Sequence, residues 1–214
     1  MIHLNKRIIS SIALIVMFLF SVKAEAQLGA RRLKKDEAGP KGQILLYGSF
    51  NYIKTKTPTG SSYSAGTSGS AEIPIGVGYF INNNDVIGVN YAHAHHVVDD
   101  NTTYRQNEAG LFYSPSITLG KYFALIGQVD AHYVWGKGPL ASGIMDTFTG
   151  YRLRAYPLVA VFLGGGWALK FKFAELSLLQ TKNDDGWTKS TIAGINASTF
   201  GVGLSKNFNF HKKG

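Results

Sequence analysis

The chain contains no cysteine. That absence excludes a disulfide framework, a zinc knuckle, an iron–sulfur site and thiol catalysis. Charge is sparse, at 16% of residues, while hydrophobic residues make up 45%, which excludes a disordered chain. The 25 glycines follow no fixed period, so a collagen-like repeat is excluded too. Only one continuous apolar run exists, at the extreme N-terminus, so the chain lacks the set of spans that a helical membrane protein requires. What is present is aromatic. Thirteen Phe and 11 Tyr stand in 214 residues, a length that suits one all-β domain.

The single apolar run reads as an address. Lys6 and Arg7 form a basic start, residues 8–20 are apolar apart from Ser10 and Ser11, and Ala24-Glu25-Ala26 supplies the small residues that a signal peptidase recognises. Residues 1–26 are therefore predicted to be a signal peptide, cut before Gln27. The run is shorter than the roughly 20 residues that span a bilayer. No Cys follows it, so a lipoprotein is excluded. Cleavage removes three of the 22 basic and one of the 13 acidic residues, leaving a net charge of +7. Arg31, Arg32, Lys34 and Lys35 are followed by Asp36 and Glu37 on an exported chain, which argues against a nucleic-acid partner. Residues 27–42 are predicted to be a solvated periplasmic tail, ending at the turn-like Gly39-Pro40-Lys41-Gly42.

After Gly42 the hydrophobic period is two, the signature of strands with one apolar face. Ile44, Leu46, Phe50 and Tyr52 share a face, as do Ala71, Ile73, Ile75, Val77 and Tyr79. Phe123, Leu125, Val129, Ala131, Tyr133 and Trp135 oppose Gln128, Asp130 and His132. Tyr151, Leu153, Ala155, Val159 and Val161 oppose Arg152, Arg154 and Tyr156. Trp167, Leu169, Phe171 and Phe173 oppose Lys170 and Lys172. Phe200, Val202, Leu204, Phe208 and Phe210 oppose Gly201, Gly203 and Ser205. Two weaker runs, 86–97 and 107–119, bring the total to eight strands.

The connectors alternate. Asn82-Asn83-Asn84-Asp85, Gly120-Lys121-Tyr122 and Gly164-Gly165-Gly166 are tight turns, whose residues tolerate positive φ. Residues 55–68, 98–106, 136–149 and 182–190 read as longer polar loops. Short turns at one end and long loops at the other describe an up-and-down barrel of the outer-membrane type. Its apolar face would then point to lipid and its polar face, with Glu72, Glu108, Asp130, Arg152, Arg154, Lys170 and Lys172, would line the lumen. Gly76, Gly78, Gly110, Gly201 and Gly203 relieve crowding on that inner face. Aromatics fall at two levels. Tyr79, Phe123, Trp167, Phe208 and Phe210 lie near the short turns, and Tyr52, Tyr133, Trp135 and Tyr151 near the loops, as two interfacial girdles. Residues 43–210 supply 21 residues per strand and connector for eight strands. A barrel of eight is filled by its own side chains, so no open channel is predicted.

The runs KGQILLYGSFNY, GVGYFI, KYFALIGQVDAHY and TFGVGLSKNFNF resemble the family of small porin-like outer-membrane β-barrel proteins of Gram-negative envelopes. The resemblance covers residues 41–210 and rests on strand grammar. It implies an all-β, eight-stranded antiparallel transmembrane barrel. It also implies insertion by the outer-membrane assembly machinery, which reads an aromatic C-terminal strand that Phe208 and Phe210 match. The basic tail His211-Lys212-Lys213-Gly214 departs from that pattern, because such chains usually end on the aromatic. The family has no general catalytic residues to transfer.

Candidate sites are few. His93 and His95 share a strand face and, with His96, Asp99 and Asp100, are weak candidates for a metal site. In the alternative, they are interfacial histidines at a strand end. Asp130 and Arg154 fall at similar heights on neighbouring strands and are predicted to pair inside the lumen, and Glu108 is predicted to reach Arg152 or His132. Such pairs read more readily as a neutralising plug than as a solute pathway. Lys206 breaks the apolar parity near the short-turn end, where snorkelling or a bulge accommodates it. A second irregularity is predicted at Ala174-Glu175. No GxSxG elbow is present, and the Gly-Thr-Ser-Gly at 66–69 lacks the context of a phosphate loop. The expectation is a non-enzymatic outer-membrane protein without a cofactor. A lipid-modifying rim enzyme and a soluble lipocalin-like carrier are the alternatives.

Overall fold

A computed structural model describes residues 30–31, 39–49, 51–57, 60–66, 73–98, 101–139, 143–195 and 199–210. The signal segment, Phe50, Ala71, Glu72, Asp99, Asp100 and the tail 211–214 lie outside the described residues. The elements are β1 (Ala30–Arg31), β2 (Ile44–Gly48), β3 (Asn51–Thr57), β4 (Gly60–Gly66), β5 (Ile75–Phe80), β6 (Asp85–Val98) and β7 (Asn101–Leu119). They continue with β8 (Phe123–Pro139), β9 (Met145–Gly164), β10 (Trp167–Lys172), β11 (Glu175–Asn183), β12 (Gly186–Gly194) and β13 (Gly201–Phe208).

These segments make eight staves. β2 with β3, β4 with β5, β10 with β11 and β12 with β13 are each one stave with an interruption. At the short-turn end the staves close into a ring, because β13 pairs β2 and β6 pairs β7. Every pairing is antiparallel between neighbours in the ring, so the chain forms the eight-stranded up-and-down barrel expected from the period-two pattern. Closure removes the ladder edges that an open sheet would expose. The seam is short, running only from Leu204 opposite Gly48 to Phe208 opposite Ile44. Above it, β12 pairs only β11 and β3 pairs only β4 among the described residues.

The tight turns sit at one end. Asn82 Oδ1 accepts from the Asn84 and Asp85 amides at 2.7 and 2.9 Å, which ties the first of them. Gly164, Gly165 and Gly166 all adopt positive φ (91, 57 and 81°), a conformation that side chains with a Cβ resist. At the other end the expected long loops are replaced by paired strand. Ladders continue to Thr57 opposite Gly60, Val98 opposite Asn101, Pro139 opposite Met145 and Asn183 opposite Gly186. β9 is 20 residues long, about twice the 9–11 that cross a bilayer. In sequence these stretches mix polar residues into both parities, so hydropathy carries no period of two to reveal them.

Two other expectations are corrected. Ile73 is buried, not part of the outer face. Its amide donates to Ser49 Oγ at 2.7 Å, its carbonyl accepts from the Ser49 amide at 3.0 Å, and Pro74 follows, so the alternation restarts only at Ile75. The N-terminal tail is not wholly solvated, since Ala30 and Arg31 pair with Leu119 and Thr118 of β7. Within the expected loop 55–68, Gly66 closes β4 opposite Asn51.

The irregularity at Ala174-Glu175 is a one-residue bulge. Lys172 faces Leu158 and Leu176 faces Ala155, so residues 173–175 oppose 156–157. The extra residue turns Glu175 inward and keeps Leu176 and Leu178 on the outer side. Lys206 needs no such device. The β10–β13 register runs unbroken through Trp167 opposite Lys206. The Lys206 ammonium donates to the Gly165 carbonyl and lies 4.9 Å from the Trp167 ring centre, at the short-turn end.

Candidate functional site

The wall separates two chemistries. Outward positions are apolar and exposed, with Leu111 at 67%, Val89 at 56% and Leu153 at 55%. Inward positions hold ionic side chains sealed from solvent: Glu108, Asp130 and Lys172 are 0% exposed and Arg154 is 1%. A water-soluble barrel has the opposite arrangement, because an exposed apolar surface of this extent is unfavourable in water.

The outward band is bounded above and below by rings. Tyr79, Phe123, Trp167 and Phe210 are exposed near the short turns, and Tyr133 and Tyr151 are exposed ten positions higher on their staves. Tyr133 stacks on Trp135 at 5.9 Å and meets Tyr151 edge-on at 5.7 Å. Ten residues of strand from Phe123 to Tyr133, at ~3.3 Å each and tilted by about 45°, give a height of roughly 23 Å, close to the ~25 Å apolar band of outer-membrane barrels. Between these levels β8 and β9 present Leu125, Val129, Ala131, Leu153, Ala155, Val159 and Val161, with no charge among them. Phe208 and Phe210, matched to the assembly signal, stack at 6.2 Å where the last stave ends.

The lumen is built by register. Asp130 faces Arg154 and His132 faces Arg152 across β8 and β9, while Gly110 of β7 faces His132. Arg154 Nε is 3.6 Å from Asp130 Oδ2. Glu108 contacts both residues proposed for it, with Oε1 3.0 Å from Arg152 Nη1 and Oε2 3.0 Å from His132 Nδ1, and also lies 3.9 Å from Arg154 Nη2. Gln106 Nε2 donates to Glu108 Oε1 at 2.5 Å. Gln128 Nε2 and the Tyr156 hydroxyl donate to Asp130 at 2.9 and 3.0 Å. Below this layer, Tyr47 OH accepts from Gln128 Nε2 at 2.8 Å and from Asn90 Nδ2 at 3.1 Å. The bulge supplies a pair that the sequence reading did not assign, Lys172 Nζ to Glu175 Oε2 at 2.8 Å. Its signal was the parity slip itself, which moved a carboxylate to the inner face three residues after an inner lysine.

Glycines make the space. A Cβ on Gly76 would fall 2.5 Å from the Tyr47 ring, and one on Gly78 would fall 2.8 Å from the Phe112 ring. Large side chains of one stave thus enter the lumen over glycines of a neighbouring or next-but-one stave. Phe112 meets Tyr47 edge-on at 5.2 Å, and the stacked layers leave the mid-lumen filled. Chemically, the arrangement binds charge to charge across the barrel and holds its staves together.

The histidines stand elsewhere, on the upper part of β6. The His93 and His95 rings lie 6.2 Å apart, and His93 Nδ1 is 2.9 Å from Asn107 Oδ1. His95 faces Arg105 across the ladder, a cation that disfavours a second cation there. Among the described residues no group of three His, Asp or Glu is placed to hold a metal ion.

No family model matches the chain, and no curated protein matches it. Among solved structures it is similar to the N-terminal β-barrel domain of OprF from Pseudomonas aeruginosa, at 12% identity over 78% of this chain and 98% of that one, with a TM-score of 0.47. It is also similar to Ail, the attachment invasion locus protein of Yersinia pestis, at 12% identity over 78% of this chain and 99% of that one, with a TM-score of 0.37.

Proposed function

We propose that the chain is an integral outer-membrane β-barrel protein of a Gram-negative envelope, porin-like in architecture but without an open channel. One observation carries the reading: an apolar, charge-free outer band lies between two aromatic levels around an interior of paired ions. Lipid is the surrounding that satisfies such a wall. Its partners are then the lipids of that membrane, the signal peptidase at residues 24–26 and the assembly machinery at Phe208 and Phe210. The ribbons beyond the upper aromatics face the medium, and the lumen ions act as a structural plug. The protein is non-enzymatic in this reading, since the buried carboxylates of Glu108, Asp130 and Glu175 are engaged with Arg152, Arg154 and Lys172.

The test is fractionation of the expressing cell followed by gel migration of the membrane fraction with and without heating. Detergent-dependent extraction and a heat-sensitive mobility are expected. Recovery in the soluble fraction without detergent overturns the reading. Lipid A mass spectra that change with the gene would overturn its non-enzymatic part.

A further inference from the structure

The lower third of the lumen differs from the layer above it. Beneath Tyr47 and Leu158 the side chains shrink to Ala124, Ala160 and Ala168, and a cavity of about 410 Å³ opens. That volume falls in the ~300–1,000 Å³ range of small-ligand pockets. Its walls are mostly apolar, with Leu45, Phe80, Val86 and Ile126, and its mouth lies among the short turns, at Gly39, Pro40, Asn83, Gly164 and Gly166. Lys170 lines it and is 4% exposed. The other inner cations have carboxylates within 4 Å: Arg152 and Arg154 at Glu108, and Lys172 at Glu175. Lys170 has none within that distance among the described residues. Its ammonium sits instead 4.5 Å from the Tyr47 ring centre, at the roof of the cavity.

A buried ammonium without an anion is costly, and an aromatic face offsets only part of that cost. A ligand that brings its own negative charge into the cavity completes the pairing that each neighbouring cation already has. The apolar walls fix the remainder of such a ligand. We propose that the lower lumen is a binding pocket, open towards the short turns, for a small and mostly apolar monoanion whose charged group pairs with Lys170. The proposal rests on the cavity and its lysine, not on which membrane holds the barrel. Cell fractionation tests the latter separately.

The full chain reconstituted in lipid nanodiscs is titrated calorimetrically with 4-ethylbenzoate and with its neutral analogue 4-ethylbenzyl alcohol, with protein-free nanodiscs subtracted. The carboxylate is expected to bind about tenfold tighter or more, as a charge-assisted bond implies. Lys170→Met is expected to erase that preference while leaving alcohol binding intact, and Lys206→Met, on the outer face, to preserve it. Ala124→Leu keeps the ammonium and narrows the cavity, so it should weaken both probes and stands as the test should Lys170→Met fail to fold. Equal affinity of the folded protein for the two probes overturns the proposal. So does absence of binding, a preference that survives Lys170→Met, or full binding by Ala124→Leu.

Discussion

Substituting Glu108 by Gln removes one charge and almost no volume. Arg152 then loses the one carboxylate within 4 Å of it among the described residues, which stood at 3.0 Å. Arg154 keeps Asp130 at 3.6 Å, and His132 loses an anionic acceptor. Breaking a buried ion pair from one side costs about 3–5 kcal/mol, because the remaining charge is desolvated without a partner. With a urea slope of about 1–3 kcal/mol per molar, the unfolding midpoint should fall by roughly 1–5 M. Asp130→Asn is milder. The new amide oxygen still accepts from Tyr156, and Arg154 retains Glu108 at 3.9 Å, so the expected loss is about 1–3 kcal/mol. Adding Arg152→Met to Glu108→Gln removes the stranded guanidinium and should recover most of the loss. The assay is equilibrium urea unfolding in lipid vesicles, followed by tryptophan fluorescence and by heat-sensitive gel mobility. A cost below about 1 kcal/mol for Glu108→Gln, or no recovery in the double variant, refutes the reasoning, since an uncompensated buried cation should exceed both limits.

Three further outcomes follow from the same geometry. Val129→Arg or Leu153→Arg, in the outer band, should cost about 2–4 kcal/mol in vesicles, while Lys206→Ala near the short turns should cost under about 1; the reverse order would mean that the faces are wrongly assigned. Gly76→Val should drive the Tyr47 ring from its bonds to Asn90 and Gln128 and cost about 1–3 kcal/mol. Gly127→Ala, whose Cβ would meet only Pro115 at 3.9 Å, should be nearly neutral in the same urea-unfolding assay. Amide hydrogen exchange should be faster in β3 and β12, each paired on one side, than in β8, paired on both; equal protection would mean that the upper seam is closed.

The wall of the barrel was legible because lipid and lumen each impose a single chemistry on alternate residues. On β8 the switch from Val129 to Asp130 to Ala131 to His132 states the sidedness, the strand and the pairing height together. The Asp130 and Arg154 positions could be matched by counting from a tight turn, since antiparallel register is fixed once the turn is fixed. Legibility failed wherever that alternation lost its cause. Above Tyr133 and Tyr151 the hydropathy of residues 136–149 carries no clear alternation although they are paired. At Ile73 a serine hydroxyl replaces one step of the ladder, and hydropathy contains no record of a hydroxyl's direction. The cavity beside Lys170 was hidden for a different reason. Parity places a lysine inside but says nothing of its neighbours on the seven other staves, and a void is a property of all of them at once. Ala124, Ala160 and Ala168 read separately as small residues on an inner face. Only the closed ring brings them to one level beneath Tyr47, and there their shared smallness becomes space, with the Lys170 ammonium against it and no carboxylate within 4 Å of that ammonium among the described residues.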